Sequence, residues 1–274
     1  MTELLLAEPL SAFTVGGMLA MAGVLMQVLL RTPLAEPYVL GVSGGAAAAG
    51  LGAMLLGLDG WWVTGGGLLA CLLSLGLVFW VGGGGSAPRE RLLLTGVVLA
   101  SGWGALISFL LVLGPEPGIR ESLFWLMGDI GQPISPWWGL FTLVLAGVAG
   151  WVMAPALDLL ARGDDQAAVL GVEVHRVRLA CYVLAAILTA LAVTLAGPIG
   201  FVGLVVPHTV RLFSGARHRV LLPVSLVVGG IYVMLLNAVV HLPVIPGQLP
   251  VGILSAAIGV PLFLILLRRL GRGS

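Results

Sequence analysis

The stretch Gly197-Pro-Ile-Gly-Phe-Val-Gly-Leu-Val-Val-Pro-His208 places three glycines, two prolines and a histidine inside a chain that is otherwise almost continuously apolar. It decides the fold because helix breakers survive at membrane depth only where surrounding protein or a cavity satisfies the freed backbone groups. That the chain lies in a membrane follows from composition: 59% of its 274 residues are hydrophobic, 9% are charged, and the mean hydropathy is +1.12. A soluble domain of this length needs a polar surface that such a composition does not supply. Crossing ~30 Å of hydrocarbon takes about 20 apolar residues, and runs of that kind recur at 10–30, 37–57, 61–81, 92–114, 135–157, 177–197, 200–213, 219–242 and 249–267. The fold class is therefore all-α: a polytopic transmembrane helix bundle, one transmembrane domain over 1–274, with about nine membrane segments including one short one, the seventh. Gly197-Pro-Ile-Gly200 is expected to break the chain on the outer side before that short segment. Pro207 falls inside it, so neighbours must compensate its missing N–H. Gly197, Pro198, Gly200, Gly203, Pro207 and His208 then sit inside the bundle or on a pathway and not against lipid. His208 reads as a hydrogen-bonded packing histidine, with a gating or polar-network role as the alternative.

The arginines fix an orientation, because basic residues are retained on the cytoplasmic side. All 13 basic residues are arginines. With alternating spans and the C-terminus inside, Arg31, Arg89, Arg91, Arg162, Arg176, Arg178, Arg217, Arg219, Arg268, Arg269 and Arg272 fall on the cytoplasmic face, and Arg211 lies at the inner end of its span. Arg120 alone is left outside. The expected topology is multi-pass, N-terminus out and C-terminus in. The opening Met1-Thr2-Glu3 is unlike the basic start of a cleavable signal. The net charge of +1 offers no basic patch for nucleic acid.

Several chemistries are excluded by what the chain lacks. Without lysine there is no Gly-x-x-x-x-Gly-Lys-Ser/Thr loop for ATP, and there is no His-Glu-x-x-His pair. No catalytic residue, cofactor or metal site is expected, and the chain is not read as an enzyme. Asp59, Asp129 and Asp158 lie near span ends, so no buried carboxylate relay of the kind that marks ion-coupled carriers is present. Cys71 and Cys181 lie in apolar spans and read as core packing. The glycine- and alanine-rich run 41–50 has a face small enough for close helix packing, and Gly82 to Pro88 reads as a flexible connection. Phe124-Trp125 and Trp137-Trp138 read as members of the outer aromatic belt.

One polar stretch, Asp158 to Val172, stands apart. Gly163 is expected to stop one short helix and Asp164 to cap the next, leaving Leu159, Leu160, Val169 and Leu170 available to dock a soluble partner. A solvated loop between spans is the other reading.

Thr32-Pro33-Leu34-Ala35-Glu36-Pro37-Tyr38-Val39-Leu40-Gly41-Val42-Ser43-Gly44-Gly45 resembles the Asn-Pro-Leu-Ala-Asp/Glu-Pro-x-x-Leu-Gly-x-Ser-x-Gly signature of the FecCD/BtuC-type permeases. Leu170-Gly171-Val172, the stretch 197–208 with Arg211, His218-Arg219 with Leu222-Pro223, Leu249-Pro250-Val251-Gly252 and Gly259 to Phe263 are similar to family stretches in the same order. The resemblance implies the transmembrane subunit of an ATP-binding-cassette importer for iron-siderophore complexes, haem or cobalamin in a bacterial inner membrane. The partners it implies are ABC ATPase subunits, a second permease copy and a substrate-binding protein outside. It makes 158–172 the coupling loop, with Arg162, Gly163, Asp164, Gln166, Leu170 and Gly171 as ATPase-contacting residues, and Pro33, Leu34, Ala35, Glu36, Pro37, Gly41 and Ser43 as family-signature positions.

The chain departs from the pattern at its outer face. Family members usually begin one helix earlier, and they carry arginines for docking the binding protein where this chain aligns Leu5, Glu8 and His241. Asn237 and Gln248 stand where acids are usual. An ATP-independent channel or secondary carrier, and a diverged non-transporting subunit, are the rival readings. No residue reads out the cargo.

Overall fold

The computed structural model describes residues 2–32, 35–58, 61–82, 89–114, 116–130, 136–242 and 249–270. Pro33, Leu34, Asp59, residues 83–88, Gln248 and Arg272 lie outside them. The described residues form eleven α-helices and one 3-10 turn, Pro37–Leu40. In chain order the helices are α1 (Thr2–Leu30), α2 (Val42–Leu55), α3 (Trp61–Gly82), α4 (Arg89–Leu113), α5 (Glu116–Leu126), α6 (Pro136–Arg162), α7 (Asp164–Val169), α8 (Val174–Ala196), α9 (Val202–Ser214), α10 (His218–Val240) and α11 (Val251–Leu270).

An apolar helix falls on each of the nine expected segments, and among the described residues five, in α1, α4, α6, α8 and α10, hold stretches long and apolar enough by length and composition to cross a membrane. α1 is the centre of the bundle. It is apolar all round, packs against α6, α8, α9 and α10, and residues 14–30 are buried without exception. Small residues let those backbones approach: a Cβ added to Gly23 would stand 2.6 Å from the Cα of Gly203 on α9, far inside contact distance.

The structure differs from the sequence-based expectation at three places. The second segment is not a helix over 37–57. Its helix starts at Val42, because the two prolines of Pro33-Leu-Ala-Glu-Pro37 discourage helix on either side, and the chain instead makes a 3-10 turn before α2. A second difference is α5, which occupies what looked like an outer loop. Glu116, Arg120 and Glu121 make it too polar to register as a span, yet Ile119, Ser122 and Leu126 recur at helical spacing, with Ser122 buried and the other two half-buried. Third, no short helix precedes Gly163: α6 runs unbroken for 27 residues to Arg162. The shortness of the seventh segment is as expected, since α9 has 13 residues, about 20 Å of rise.

Candidate functional site

The break between α8 and α9 is built around Gly197. Its φ is +65°, and a Cβ there would run into the carbonyl oxygen of Trp125 on α5, so both backbone conformation and space favour glycine. Pro198 follows, Ile199 is fully buried, and the Gly200 carbonyl accepts a 2.7 Å bond from Ser255 Oγ on α11. Phe201 has φ +69° at the start of α9, and its N–H donates to Glu36 Oε1 at 2.5 Å. A carboxylate at a helix N-terminus satisfies an orphan donor and complements the positive end of the dipole. Two stretches that stand 165 residues apart in the chain are thereby joined. Pro37 lies against Gly203, and Gly203 stands beside Leu19 and Gly23 of α1, so the irregular backbone before α2 and the start of α9 meet near the middle of the bundle.

Pro207 lacks the N–H that would bond the Gly203 carbonyl. Gln27 of α1 replaces it: Nε2 reaches Gly203 O at 3.5 Å and Leu204 O at 3.4 Å. This is the compensation a mid-helix proline requires. Sequence reasoning missed Gln27, although it is the one amide in the apolar run between Glu8 and Arg31. Its Oε1 accepts from Arg211 Nη2 at 3.4 Å. Residues 202–208 are all buried. His208 is buried, and its Nδ1 finds no hydrogen-bond partner among the described residues, which departs from the hydrogen-bonded histidine expected. Of the first signature, Ala35, Pro37, Gly41 and Ser43 are buried, and the Gly41 carbonyl accepts from Ser74 Oγ on α3.

The stretch 158–172, expected to serve as a coupling loop, is a helical turn at the arginine-rich end. Gly163 separates α6 from α7, and Gly171 follows it before α8. Asp164 does not cap α7 as expected, since it is the first residue of that helix and Gly163 holds the N-cap position. Its carboxylate instead pairs with Arg31 Nη2, just beyond α1, at 2.6 Å and lies 3.6 Å from Arg178 Nη1 of α8. Arg31 and Arg178, which looked like topology markers, are thus the residues that fix the turn. Arg178 is 5% exposed, so the pair sits where charges need a partner. Ala167 faces the bundle, Gln166 and Arg162 are exposed, and Val169 and Leu170 project with 87% and 62% of their surface open. Leu160, expected to dock, is fully buried, and Leu159 is half-buried. Asp158 holds His218: its Oδ1 accepts from the backbone N–H at 2.9 Å and lies 2.6 Å from Nδ1.

At the opposite end, Glu8, Asn237 and His241 come together. Asn237 Nδ2 donates to Glu8 Oε1 at 2.7 Å, the Asn237 carbonyl lies 2.8 Å from His241 Nδ1, and His241 Nε2 is 3.4 Å from Glu8 Oε1. Trp137 and Trp138 are exposed at the start of α6, in keeping with a belt. Trp125 is not belt-like, because it packs over Gly50 of α2. Cys71 and Cys181 are buried thiols without a disulfide. Among the described residues no group of His, Cys, Asp or Glu is placed to hold a metal.

The FecCD transport family model matches residues 1–269. The chain is 37% identical over 273 residues to the vitamin B12 import system permease protein BtuC of Vibrio cholerae, covering 97% of this chain and 82% of that one. It is 36% identical over 292 residues to the Fe(3+) dicitrate transport system permease protein FecD of Escherichia coli, covering 98% and 85%. A solved metal-chelate type ABC transporter in an inward-facing conformation superposes with a TM-score of 0.87 at 32% identity, over 96% of this chain and 86% of that one. With a buried break at the family's signature stretches, and with relatives that are transport permeases, this chain is a membrane transport permease belonging to the FecCD transport family.

Proposed function

We propose that this chain is the transmembrane subunit of an ABC importer that moves an iron chelate, siderophore-bound or haem, or cobalamin into a bacterial cell, as a homodimer powered by separate ATPase subunits. The observation that carries the reading is the coupling turn: α7 is clamped to α1 and α8 through Asp164, while Val169 and Leu170 stand out from the surface. A rigidly held turn with an apolar tip suits transmission of force from a soluble partner, with Arg162, Gly163, Asp164, Gln166, Leu170 and Gly171 forming its contact surface. The absence of any P-loop in the chain requires that partner to supply the ATP chemistry. The arginine distribution puts this face in the cytoplasm. A binding protein would then dock at the Glu8, Asn237 and His241 end, where an acid and a histidine stand in place of the family's docking arginines.

Transport of a labelled ferric chelate or cobalamin into proteoliposomes tests this. Uptake should require the ATPase and ATP, and Val169→Asp should abolish coupling while leaving the folded permease intact. Uptake that continues without the ATPase, or that an ion gradient alone drives, would overturn it.

A further inference from the structure

At the arginine-rich end, between α1, α6, α9 and α10, lies a cavity of about 150 Å³ lined by Gln27, Arg31, Thr32, Arg211 and His218, among others. That is roughly ten times the least volume that admits one water. Its positive charge is incompletely neutralised from within. Arg31 gives one guanidinium nitrogen to Asp164 at 2.6 Å, but its buried Nε has no partner. Arg211 reaches Gln27 Oε1 at 3.4 Å, its Nε is buried without a partner, and it pairs with no described acid. His218 is 2% exposed. Asp158 engages its Nδ1, and the opposite ring nitrogen, Nε2, is buried with no partner.

We infer that this cavity is a binding site for a phosphate group, either inorganic phosphate or the phosphomonoester headgroup of phosphatidic acid. Two guanidinium groups lining a partly closed space supply the charge and the N–H donors that a tetrahedral oxyanion accepts. The histidine adds selectivity. Asp158 favours the tautomer with the proton on Nδ1, so the neutral ring offers Nε2 as an acceptor. A phosphate that keeps one proton gives its oxygens to the arginines and its P–OH to Nε2. Sulfate carries no such proton, and it would leave Nε2 unmet. A buried polar atom left unpaired is what makes a site reject the near-isostere. The inference uses no property of the cargo, so it stands whatever the chain transports, and Arg31 joins the site to the turn at Asp164.

The test uses the full chain in phosphatidylcholine nanodiscs at mildly alkaline pH, titrated with inorganic phosphate or sulfate and followed by thermal unfolding midpoint and phosphorus NMR line width. Phosphate should raise the midpoint saturably and bind about tenfold more tightly than sulfate. Arg211→Gln should weaken phosphate by about tenfold or more, His218→Phe should erase the preference over sulfate, and Arg219→Gln, an exposed arginine over Trp151, should change neither. A second arm adds phosphatidic acid to the discs. If the lipid raises the midpoint and excludes added phosphate, the headgroup is the occupant; if phosphate still titrates unchanged, the free ion is. No saturable response to either, equal affinity for phosphate and sulfate in the unaltered chain, or an unchanged response in a folded Arg211→Gln chain overturns the assignment. Should the variants misfold, the phosphate-to-sulfate ratio in the unaltered chain decides alone.

Discussion

The apolar stretches of α1 and α4 are each 24 residues long, yet nearly all of the first and almost none of the second is buried within the chain. Hydrocarbon and protein interior are equally apolar, so hydropathy selects both helices for the membrane and says nothing about which is central. Close backbone approach and polar side chains make the difference. The glycines of α1 meet other backbones: a Cβ on Gly16 would strike the Gly229 carbonyl of α10, and one on Gly23 would strike Gly203 of α9. Gly102 and Gly104 of α4 have nothing within 4 Å of an added Cβ. α1 also carries Gln27, whose amide serves the carbonyls beside a mid-helix proline. The polar hydroxyls of α4 bond within their own helix, as Ser101 does to Val97 and Ser108 to Gly104.

The comparison is broken if a bulky residue is tolerated equally in both helices. Gly23→Leu should cost about 3 kcal/mol or more, because backbone and not a pliable side chain occupies the space; thermal unfolding in detergent would then show little or no native protein. Gly102→Leu should change the midpoint of the isolated chain negligibly. Its effect on assembly, read by light scattering, tells whether lipid or a second copy covers that face. Next in size is Asp164→Asn, which leaves Arg178 buried beside a neutral partner. A loss of about 2 kcal/mol is expected, along with weaker ATPase coupling in the reconstituted importer, and both should recover in part with Asp164→Glu. Gln27→Leu unpairs two carbonyls and one arginine contact at long distances, so about 1 to 2 kcal/mol is expected, whereas a polar-to-leucine change on exposed α4, such as Ser101→Leu, should cost nothing measurable.

The smallest effect lies in the turn after α5. Burial holds the Asp129 carboxyl above its usual range, opposed by the Ile130 backbone hydrogen bond and His241 and reinforced by the charge of Glu8. A raised carboxyl pKa means that the folded state prefers the protonated form, so its contribution to stability is present in acid and is lost as pH rises through the folded value. Asp129→Asn should therefore stabilise the chain slightly at neutral pH, by less than about 0.5 kcal/mol, with the gap closing in acid. A gap that widened in acid would reverse the assignment.

Much of the site was legible residue by residue, though not in its connections. Pro207 announced a missing donor, and the sequence required that something supply it; that Gln27 does so depends on a contact across 176 residues. Asp164 read locally as a cap, because Asp after Gly is a common helix start. Its partners, Arg31 just beyond α1 and Arg178 in α8, read only as topology markers. The Glu36 carboxylate looked like one letter of a motif until the fold set it on the Phe201 N–H.

By itself the sequence determined that the chain is helical and membrane-embedded, where its apolar segments fall, that one of them is short, and that it carries no ATP-binding loop of its own, since period, length and composition act locally along the chain. Only the tertiary structure decided which helix is the core, that the second segment is partly irregular, that α5 exists as a packed helix, and which distant residue serves each unpaired group. In a lipid solvent these choices are made by backbone proximity and polar pairing between helices, and neither leaves a trace in hydropathy.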